Sequence, residues 1–407
     1  MSLTSAWDPS FEGISEEEIY AFNKFRQTLD FGELCRIACV TRLVPDDACR
    51  IDPTLFQRGS CNVVYELCFA DGVSWIARIR LPQSAWLHPV SDQVYDAQSA
   101  IAKSEIDVMG FVKTYTSIPI PTIFHYDLRE RGNPVGAPYL LMEGIHGHIT
   151  PSVFPSLDPR FREKVYRQLA GVFLQLSSLS FPSIGLPSSD EHHKITPSDW
   201  FDDFGEPHPP CQSASTYYEY VYNSFEVEAA KSDDRDRQAV ARLFRHCGLH
   251  VGRYSPKGEN YPLCHGDFTS GNFLWDDEFN LVAVIDWTNT MTMPWEIVGV
   301  VHEFYSGPDD HCSAARHQFA DILAEEEAQS DYKTPISSWF SSPLAEILTI
   351  IKECDVTTSA AMYHVPRILE ILADREIETT LNQISPTFVE RAKTLRHNIQ
   401  IGMRPDL

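Results

Sequence analysis

Three polar side chains with the chemistry of phosphoryl transfer fall within one short stretch of this chain. Asp267 belongs to His265-Gly266-Asp267-Phe268, Asn272 follows five positions later, and Asp286 lies fourteen positions beyond Asn272. Transfer of a γ-phosphoryl group needs a base near the acceptor hydroxyl and oxygen ligands for Mg²⁺ on the nucleotide phosphates. The residue types and their spacing predict Asp267 as the catalytic base and Asn272 and Asp286 as the metal ligands.

A β-hairpin is expected between the two metal ligands. The segment 273–275 has the pattern of a short strand, 276–280 is a polar turn, and 281–285 is an apolar strand. Because a hairpin returns its second strand alongside its first, Asp286 is expected to lie near Asn272.

These motifs resemble those of the aminoglycoside phosphotransferase and choline kinase-like family, the small-molecule relatives of protein kinases. The similarity to its fungal branch is the strongest. It rests first on the stretch from His265 to Asn272 and on Ile285-Asp286-Trp287. Further similar segments are 59–63, 75–82, 134–143 and 180–185. The resemblance implies an α+β, two-lobed protein kinase-like fold, with a small β-rich N-terminal lobe and a large, mainly helical C-terminal lobe.

The chain is accordingly divided into three predicted parts. Residues 1–50 form a helical N-terminal extension, whose Ser15-Glu16-Glu17-Glu18 is typical of a helix start. Residues 51–143 form the nucleotide-binding lobe, and residues 144–407 form the helical catalytic and substrate-binding lobe.

The nucleotide phosphates are expected to meet a hairpin of the small lobe. Gly59 and Ser60 precede a strand, a turn at Ala70-Asp71-Gly72-Val73 and a return strand at 75–80. Backbone N–H groups near Gly59 and Ser60 are therefore candidate phosphate donors.

The resemblance places Arg78 where kinases have their phosphate-binding lysine, and it pairs Arg78 with Glu105. Arginine keeps the positive charge but has a longer, forked reach. Arg80 is an alternative, since it shares the same strand face. Glu105 is expected to open a helix that continues through Ile106, Met109 and Val112.

Kinase-like enzymes bind adenine against the connection between their lobes, through backbone N–H and C=O groups. The apolar strand at 139–143 is predicted to end at this connection. The residues expected to line it are Met142, Glu143 and Ile145.

Helices are expected through most of the remaining chain. They include one containing residues 165–176, one that begins at 217, one that opens at Pro294-Trp295-Glu296, and C-terminal helices near 312–328, 337–353, 360–382 and 387–402. In this family the last helices usually build the acceptor pocket.

Composition limits the partners. The chain has 57 acidic and 33 basic side chains and a formal charge of −24, which disfavours nucleic acid and anionic membranes and would suit a cationic acceptor. The N-terminus lacks the features of a signal peptide, so we expect a cytoplasmic protein with its ten cysteines reduced. The Cys247, His250, Cys264 and His265 set has poor spacing for zinc.

The sequence thus predicts an ATP- and Mg²⁺-dependent kinase that acts on a hydroxyl of a small molecule. Two alternatives stay open. One is a nucleotide-binding pseudoenzyme or scaffold, which the arginine at position 78 and the sparse glycine turn would suit. The other is an enzyme of the same fold that activates a carboxylate with ATP for ligation.

Overall fold

A computed structural model describes residues 15–59, 61–82, 92–150, 154–190, 194–202, 205–256, 260–304, 309–330, 336–340, 342–353 and 359–400. The chain divides into two compact units, each built from more than one stretch of sequence. Unit 1 comprises Met1–Ile149 and Asn272–Asp286, and unit 2 comprises Thr150–Gly271 and Trp287–Leu407. The architecture is α+β, as the sequence predicts.

Unit 1 begins with two helices, α1 (Glu16–Arg26) and α2 (Phe31–Arg42). Ser15 caps α1 in a capping box, in which its side chain accepts from the Glu18 backbone while the Glu18 side chain accepts from the Ser15 backbone. Asp30 caps α2 through the Glu33 backbone N–H. The helix start at Ser15 is thus confirmed, whereas α2 is an addition to the predicted elements.

The remainder of unit 1 contains one large sheet, one long helix and a separate hairpin. The elements are β1 (Cys49–Ile51), β2 (Gln57–Arg58), β3 (Asn62–Phe69), β4 (Ser74–Arg80), α3 (Asp92–Tyr115), β5 (Ile123–Asp127), β6 (Tyr139–Glu143), β13 (Phe273–Trp275) and β14 (Leu281–Val284). The six-stranded antiparallel sheet has the order β1-β3-β4-β6-β5, with β2 also paired to β3.

The predicted β3–β4 hairpin is present. Gly72 occupies its turn with a φ of +87°, a backbone region that glycine enters without steric cost. Strand β4 alternates as expected, with Trp75, Ala77 and Ile79 buried and the intervening side chains partly exposed. The buried side chains join residues of α1 and α2 in one core, so the N-terminal helices cover this face of the sheet.

Helix α3 corrects one prediction. It begins at Asp92, thirteen residues before Glu105, so Glu105 lies inside the helix and does not open it. The helix ends at Tyr115, shortly before Pro119 and Pro121, which cannot donate a backbone hydrogen bond.

Unit 2 is mainly helical. Its elements are α4 (Pro159–Ser178), β7 (Ser180–Phe181), β8 (Leu186–Ser189), β9 (Ile195–Ser198), β10 (Trp200–Phe201), β11 (Pro207–His208), α5 (Ala214–Ala230), α6 (Arg235–Tyr254), β12 (Tyr261–Cys264), β15 (Met291–Thr292), α7 (Asp309–Gln329), α8 (Ser337–Phe340), α9 (Pro343–Glu353), α10 (Ser359–Leu372), α11 (Arg375–Ile384) and α12 (Phe388–Gln400). Short 3₁₀ helices span Phe154–Ser156, Trp295–Gly299 and His302–Phe304, and another, Ser270–Asn272, crosses into unit 1.

Two of the predicted C-terminal helices are each divided into two shorter helices. The expected helix at 337–353 is split into α8 and α9, and Pro343 is the first residue of α9, a position where proline is tolerated. The expected helix at 360–382 is split at Ala373, which has a φ of +51°, and at Asp374, which caps α11. The helix expected at Pro294 is a five-residue 3₁₀ helix. None of the described helices is both long and apolar enough to cross a membrane.

Candidate active site

Arg78 and Glu105 form an ion pair at the centre of the unit 1 sheet. Arg78 lies on β4 opposite Val64 and Leu140, with strands on both sides, and its Nη2 donates to Oε2 of Glu105 on α3. The Glu105 side chain is only 1% exposed and that of Arg78 is 13% exposed. A buried carboxylate requires such a partner, because leaving it uncompensated is costly. The pairing expected from the resemblance is therefore present.

Asp286 lies beside the same guanidinium. Its Oδ1 is 3.7 Å from Arg78 Nη1, so Arg78 is flanked by two carboxylates. The backbone of Asp286 has a φ of +55°, the left-handed region that side chains other than glycine seldom enter. Strain of this kind often occurs where a side chain must point in one direction for function.

The predicted hairpin brings Asn272 and Asp286 together. Strands β13 and β14 are antiparallel, and the Ile285 N–H donates to the Asn272 carbonyl at 2.9 Å. The hairpin is anchored by two further backbone contacts, in which His148 exchanges hydrogen bonds with Trp275 and the Val284 N–H donates to Pro119. Asn272 itself is buried.

The oxygen atoms of this hairpin suit a hard cation. Asp286 Oδ1 is buried and accepts no hydrogen bond among the described residues. A carboxylate oxygen without a donor and a neighbouring carboxamide are ligands that Mg²⁺ accepts, usually completing its shell with water and phosphate oxygens. The described residues contain no cluster of three or more His, Cys, Asp or Glu side chains arranged for a metal. Asn272 and Asp286 would together supply only part of a coordination shell.

Gly59, the glycine predicted to lie near the nucleotide phosphates, lies between strands β2 and β3. The Gly59 N–H donates to the Asn62 carbonyl at 2.8 Å, so this N–H is engaged within the turn. Gly59 is exposed, and a Cβ there would meet only the Asn62 carbonyl, at 3.7 Å. Ser60 lies outside the described residues.

The segment after β6 contains backbone N–H groups that make no backbone hydrogen bond among the described residues, and that of Ile145 is one of them. The Glu143 N–H donates to the Thr122 carbonyl and the Gly144 N–H to the Ser74 carbonyl. Ile145, which is partly buried, makes no backbone hydrogen bond of this kind among the described residues. The Glu143 carboxylate accepts from the Thr122 backbone and side chain, so it anchors β5, while Met142 is buried.

Asp267 is held by a tight loop in unit 2. The loop follows β12, and the Asp267 side chain is exposed while its backbone N–H donates to His265 Nδ1 at 3.2 Å. The buried His265 ring packs against Trp287 at 4.8 Å. Through this hydrogen bond the His265 ring helps to shape the loop that carries Asp267.

Gly266 is required by a close backbone approach. A Cβ at this position would lie 2.5 Å from the Thr288 carbonyl oxygen and 2.6 Å from the Asn289 carbonyl carbon. Any larger residue would therefore force the loop of Asp267 away from the segment 288–289.

Glu303 is a positioning residue absent from the predicted site. It is 4% exposed, and its Oε1 accepts from both the backbone N–H and the hydroxyl of Ser270, at 2.7 and 2.6 Å. Its Oε2 accepts from the Phe154 N–H at 2.8 Å. Glu303 thus fixes the backbone three residues after Asp267. The available signal was a single acidic residue next to the apolar Val300, Val301 and Phe304.

Most of the acidic residues in α5 and just after its C-terminal end form ion pairs with basic residues of α5, of α6 or just after α5, or cap a helix. Glu226 pairs with Arg242 and Arg245, Glu228 pairs with Lys231, and Asp234 caps α6. These contacts favour the interpretation of this group as a helix surface rather than a site for a cationic acceptor.

A family model decides the identity of the chain. The model of the phosphotransferase enzyme family, APH, matches residues 54–327, more than half of the sequence. The chain belongs to this family. The aminoglycoside phosphotransferase-like assignment made from the 265–287 motifs is therefore confirmed.

The solved structure of a kinase with a TM-score of 0.50 supports the expected fold. The amicoumacin kinase hAmiN, solved with AMP-PNP, Ca²⁺ and Ami, is similar with a TM-score of 0.50 and 11% identity, over 91% of this chain and 96% of the kinase. The apoenzyme of macrolide 2'-phosphotransferase MphH from Brachybacterium faecium is similar with a TM-score of 0.46 and 12% identity, over 88% and 98% of the two chains.

Curated relatives of the phosphotransferase occur in Aspergillus fumigatus. A subtelomeric hrmA-associated cluster protein, present in two strains, is 29% identical over 134 residues. The match covers 33% of this chain and 24% of the relative, so this chain spans about a quarter of the curated relatives it matches. Their fungal origin agrees with the branch suggested by the sequence.

Proposed function

We propose that this phosphotransferase transfers the γ-phosphoryl group of ATP to a hydroxyl of a small molecule, with Mg²⁺ bound to the nucleotide. The observation that carries the proposal is the group around Arg78. A cation and a carboxylate oxygen without a donor lie 3.7 Å apart at the end of the hairpin that also carries Asn272. The AMP-PNP and Ca²⁺ in the amicoumacin kinase structure support the choice of ligands.

In this proposal Asn272 and Asp286 would hold Mg²⁺, which neutralises charge on the phosphate oxygens. Arg78 would bind phosphate oxygens through its guanidinium, and Glu105 would keep the guanidinium in place. Such fixed charges lower the barrier because they need no reorganisation during the reaction.

Asp267 would orient the acceptor hydroxyl and accept its proton as the new bond forms. Its exposed carboxylate is accessible to a substrate, while His265, Gly266 and Glu303 fix the backbone that carries it. In a loose phosphoryl-transfer transition state positioning contributes more than early proton removal.

At the segment after β6, the Ile145 N–H would donate to the adenine edge, beside Met142 and Glu143. The acceptor itself is proposed only as a hydroxyl-bearing small molecule. Kanamycin appears in the structure of a similar protein, APH(2")-IIIa, and provides one starting compound for a screen.

The proposal is tested by thermal stability with and without Mg²⁺-ATP. Wild type should be stabilised, because a ligand that binds only the folded state raises its stability by mass action. Asp286→Ala should lose that response. Asp277→Ala is the matched control, since it removes an exposed carboxylate from the turn of the same hairpin.

A wild-type shift that Asp286→Ala retains would overturn the metal assignment. Acceptors are then screened by ADP release and by detection of the phosphorylated product. ADP release with a ligated product in place of a phosphorylated acceptor would instead support the acyl-activating alternative.

A further inference from the structure

Arg80 is a second cation on the same strand face as Arg78. It lies two positions further along β4, so the two Cα atoms are about 7 Å apart and both side chains leave the same side of the sheet. Arg78 is paired with Glu105 and lies beside Asp286. Arg80, by contrast, forms no ion pair with any residue that the structure describes.

One hydrogen bond holds the Arg80 side chain in place. Its Nη1 donates to the backbone carbonyl of Gln98 on α3 at 2.9 Å. A guanidinium is a planar fork of several N–H donors, and one carbonyl engages only a part of that fork. Within the described ranges the Arg80 guanidinium has no other acceptor, so its remaining donors are available to an anion.

The surroundings of Arg80 leave its positive charge uncompensated. The residue is partly buried, and burial together with the neighbouring Arg78 lowers the pKa of Arg80, although Glu105 and Glu130 act in the opposite direction. Arg78 is also buried, but its pairing with Glu105 raises its pKa. A partly buried cation without a counter-ion is unfavourable, and a bound anion would remove this cost.

The strand register places Arg80 beside the turn that contains Gly59. Arg80 is directly opposite Asn62, the first residue of β3. The Asn62 carbonyl accepts from the Gly59 N–H at 2.8 Å, and the Leu81 N–H donates to the Cys61 carbonyl at 2.9 Å. The end of β4 that carries Arg80 is therefore hydrogen-bonded to the turn for which a phosphate contact is predicted.

We propose that Arg80 is a second phosphate-binding cation of the nucleotide site, which acts together with Arg78 and not in its place. The two guanidiniums would contact oxygen atoms of different phosphate groups of one nucleotide, because their positions differ along the strand and arginine side chains are long. Two fixed charges on one face favour a nucleotide with several phosphate groups. This inference rests on the proposed transfer from ATP and assigns a further residue to the same site.

The affinity of the full chain for Mg²⁺ and the ATP analogue AMP-PNP, measured by isothermal titration calorimetry, tests the role of Arg80. Arg80→Gln keeps a donor for the Gln98 carbonyl but removes the charge. It should weaken binding by about 10- to 100-fold, the range for a lost hydrogen bond to a charged group. Arg80→Lys keeps the charge and should lose less affinity than Arg80→Gln.

Arg50→Gln is the matched control. Arg50 is an exposed arginine on β1 of the same sheet, opposite Cys68. Its replacement changes the net charge by the same amount, so the variant should bind the analogue as wild type does. Melting temperatures without nucleotide show where each variant is folded, and the titrations are run at a temperature at which all of them are folded.

Two outcomes would overturn the role of Arg80. Wild-type affinity in Arg80→Gln would show that no phosphate group depends on this charge. Equal losses in Arg80→Gln and Arg80→Lys would show that Arg80 acts through its contact with α3 and not through its charge.

Failure of the proposed function gives a different result. Wild type itself would then not bind the analogue in the presence of Mg²⁺. Binding by wild type that Arg78→Ala loses and Arg80→Gln retains would refute the second cation alone.

Discussion

Two buried glutamates, Glu105 in unit 1 and Glu303 in unit 2, are stabilised in different ways. Glu105 is paired with the guanidinium of Arg78, a charged partner that also lies beside Asp286. Among the described residues, Glu303 accepts from neutral donors alone, those of Ser270 and Phe154. A charge pair fixes a cation that a ligand can also use, whereas hydrogen bonds from the backbone fix the shape of a loop.

The difference assigns separate tasks to the two regions. Unit 1 carries the residues proposed for the nucleotide and its metal, where charge must be held in place. Unit 2 carries the proposed base, Asp267, where the position of an exposed carboxylate matters most. Changes in the two units should therefore alter different measurements.

The largest effect is expected for Asp267→Asn. The carboxamide cannot accept the acceptor proton, so kcat should fall by about 10²- to 10⁴-fold. The stabilisation by Mg²⁺-ATP should be unchanged, because the nucleotide residues are untouched. ADP release with an identified acceptor measures the first effect, and unchanged turnover would remove Asp267 as the base.

Arg78 tests the unit 1 half of the comparison. Arg78→Ala leaves the carboxylate of Glu105 buried without its counter-ion, which costs about 3–5 kcal/mol for a broken buried pair. It should also remove the stabilisation by Mg²⁺-ATP.

Arg78→Lys keeps the charge and should retain part of that response, which separates a phosphate role from packing. Denaturant unfolding and thermal shifts of the two variants provide the measurements. Full activity in Arg78→Ala would show that the phosphate-binding charge lies elsewhere.

Glu303→Gln tests the unit 2 half. Each carboxylate oxygen of Glu303 accepts from a backbone N–H, that of Ser270 or that of Phe154. The NH₂ group of the glutamine side chain in the variant would replace one of these oxygens, so a donor would face a donor and that hydrogen bond would be lost. A loop displaced by this conflict should lower kcat by about 10- to 100-fold, because small misplacements are expensive in catalysis. The affinity for Mg²⁺-ATP should not change. Glu296→Gln, in the same unit but bonded to Tyr218 and Ser255, is the control. Equal losses of kcat in both variants would contradict a positioning role.

The smallest effect concerns pH. Burial raises the pKa of Glu296 above its ordinary value of 4.5, against hydrogen bonds from Ser255 and Tyr218 that lower it. Between pH 4.5 and the raised pKa, the Glu296 carboxyl is therefore more often protonated in the native state than in the unfolded state. Stability contributed by this carboxyl is complete below 4.5 and is lost as the pH rises through that window.

The melting temperature of Glu296→Gln should accordingly fall less than that of wild type between about pH 4 and pH 7. An identical pH profile in the two proteins would show that Glu296 does not ionise in this range.

Local patterns in the sequence predicted the elements that carry the proposed site. The alternation of β4 identified its faces, the polar turn at 276–280 identified the β13–β14 hairpin, and the Ser15 capping box identified the start of α1. These features can be predicted from the sequence because each depends on residues within a few positions of one another.

Contacts between residues far apart in the chain could not be predicted from the sequence. Glu303 meets Ser270 over 33 positions and Phe154 over 149, and no local periodicity reports such a contact. The splitting of the helices at Pro343 and Asp374 had local signals, but continuous apolar spacing across both sites favoured longer helices. The roles of the site residues stay predictions until they are tested.

The discontinuity of unit 1 has a consequence for synthesis on the ribosome. The first stretch of unit 1 ends at Ile149, whereas the second stretch, which contains the hairpin that bonds to His148 and Pro119, begins only at Asn272. At about 5–20 residues per second, several seconds or more separate the two stretches during translation. Until the hairpin is synthesised, the backbone groups of His148 and Pro119 lack these hydrogen-bond partners. A chain interrupted at Ile149 would contain Arg78 and Glu105 but neither of the proposed metal ligands.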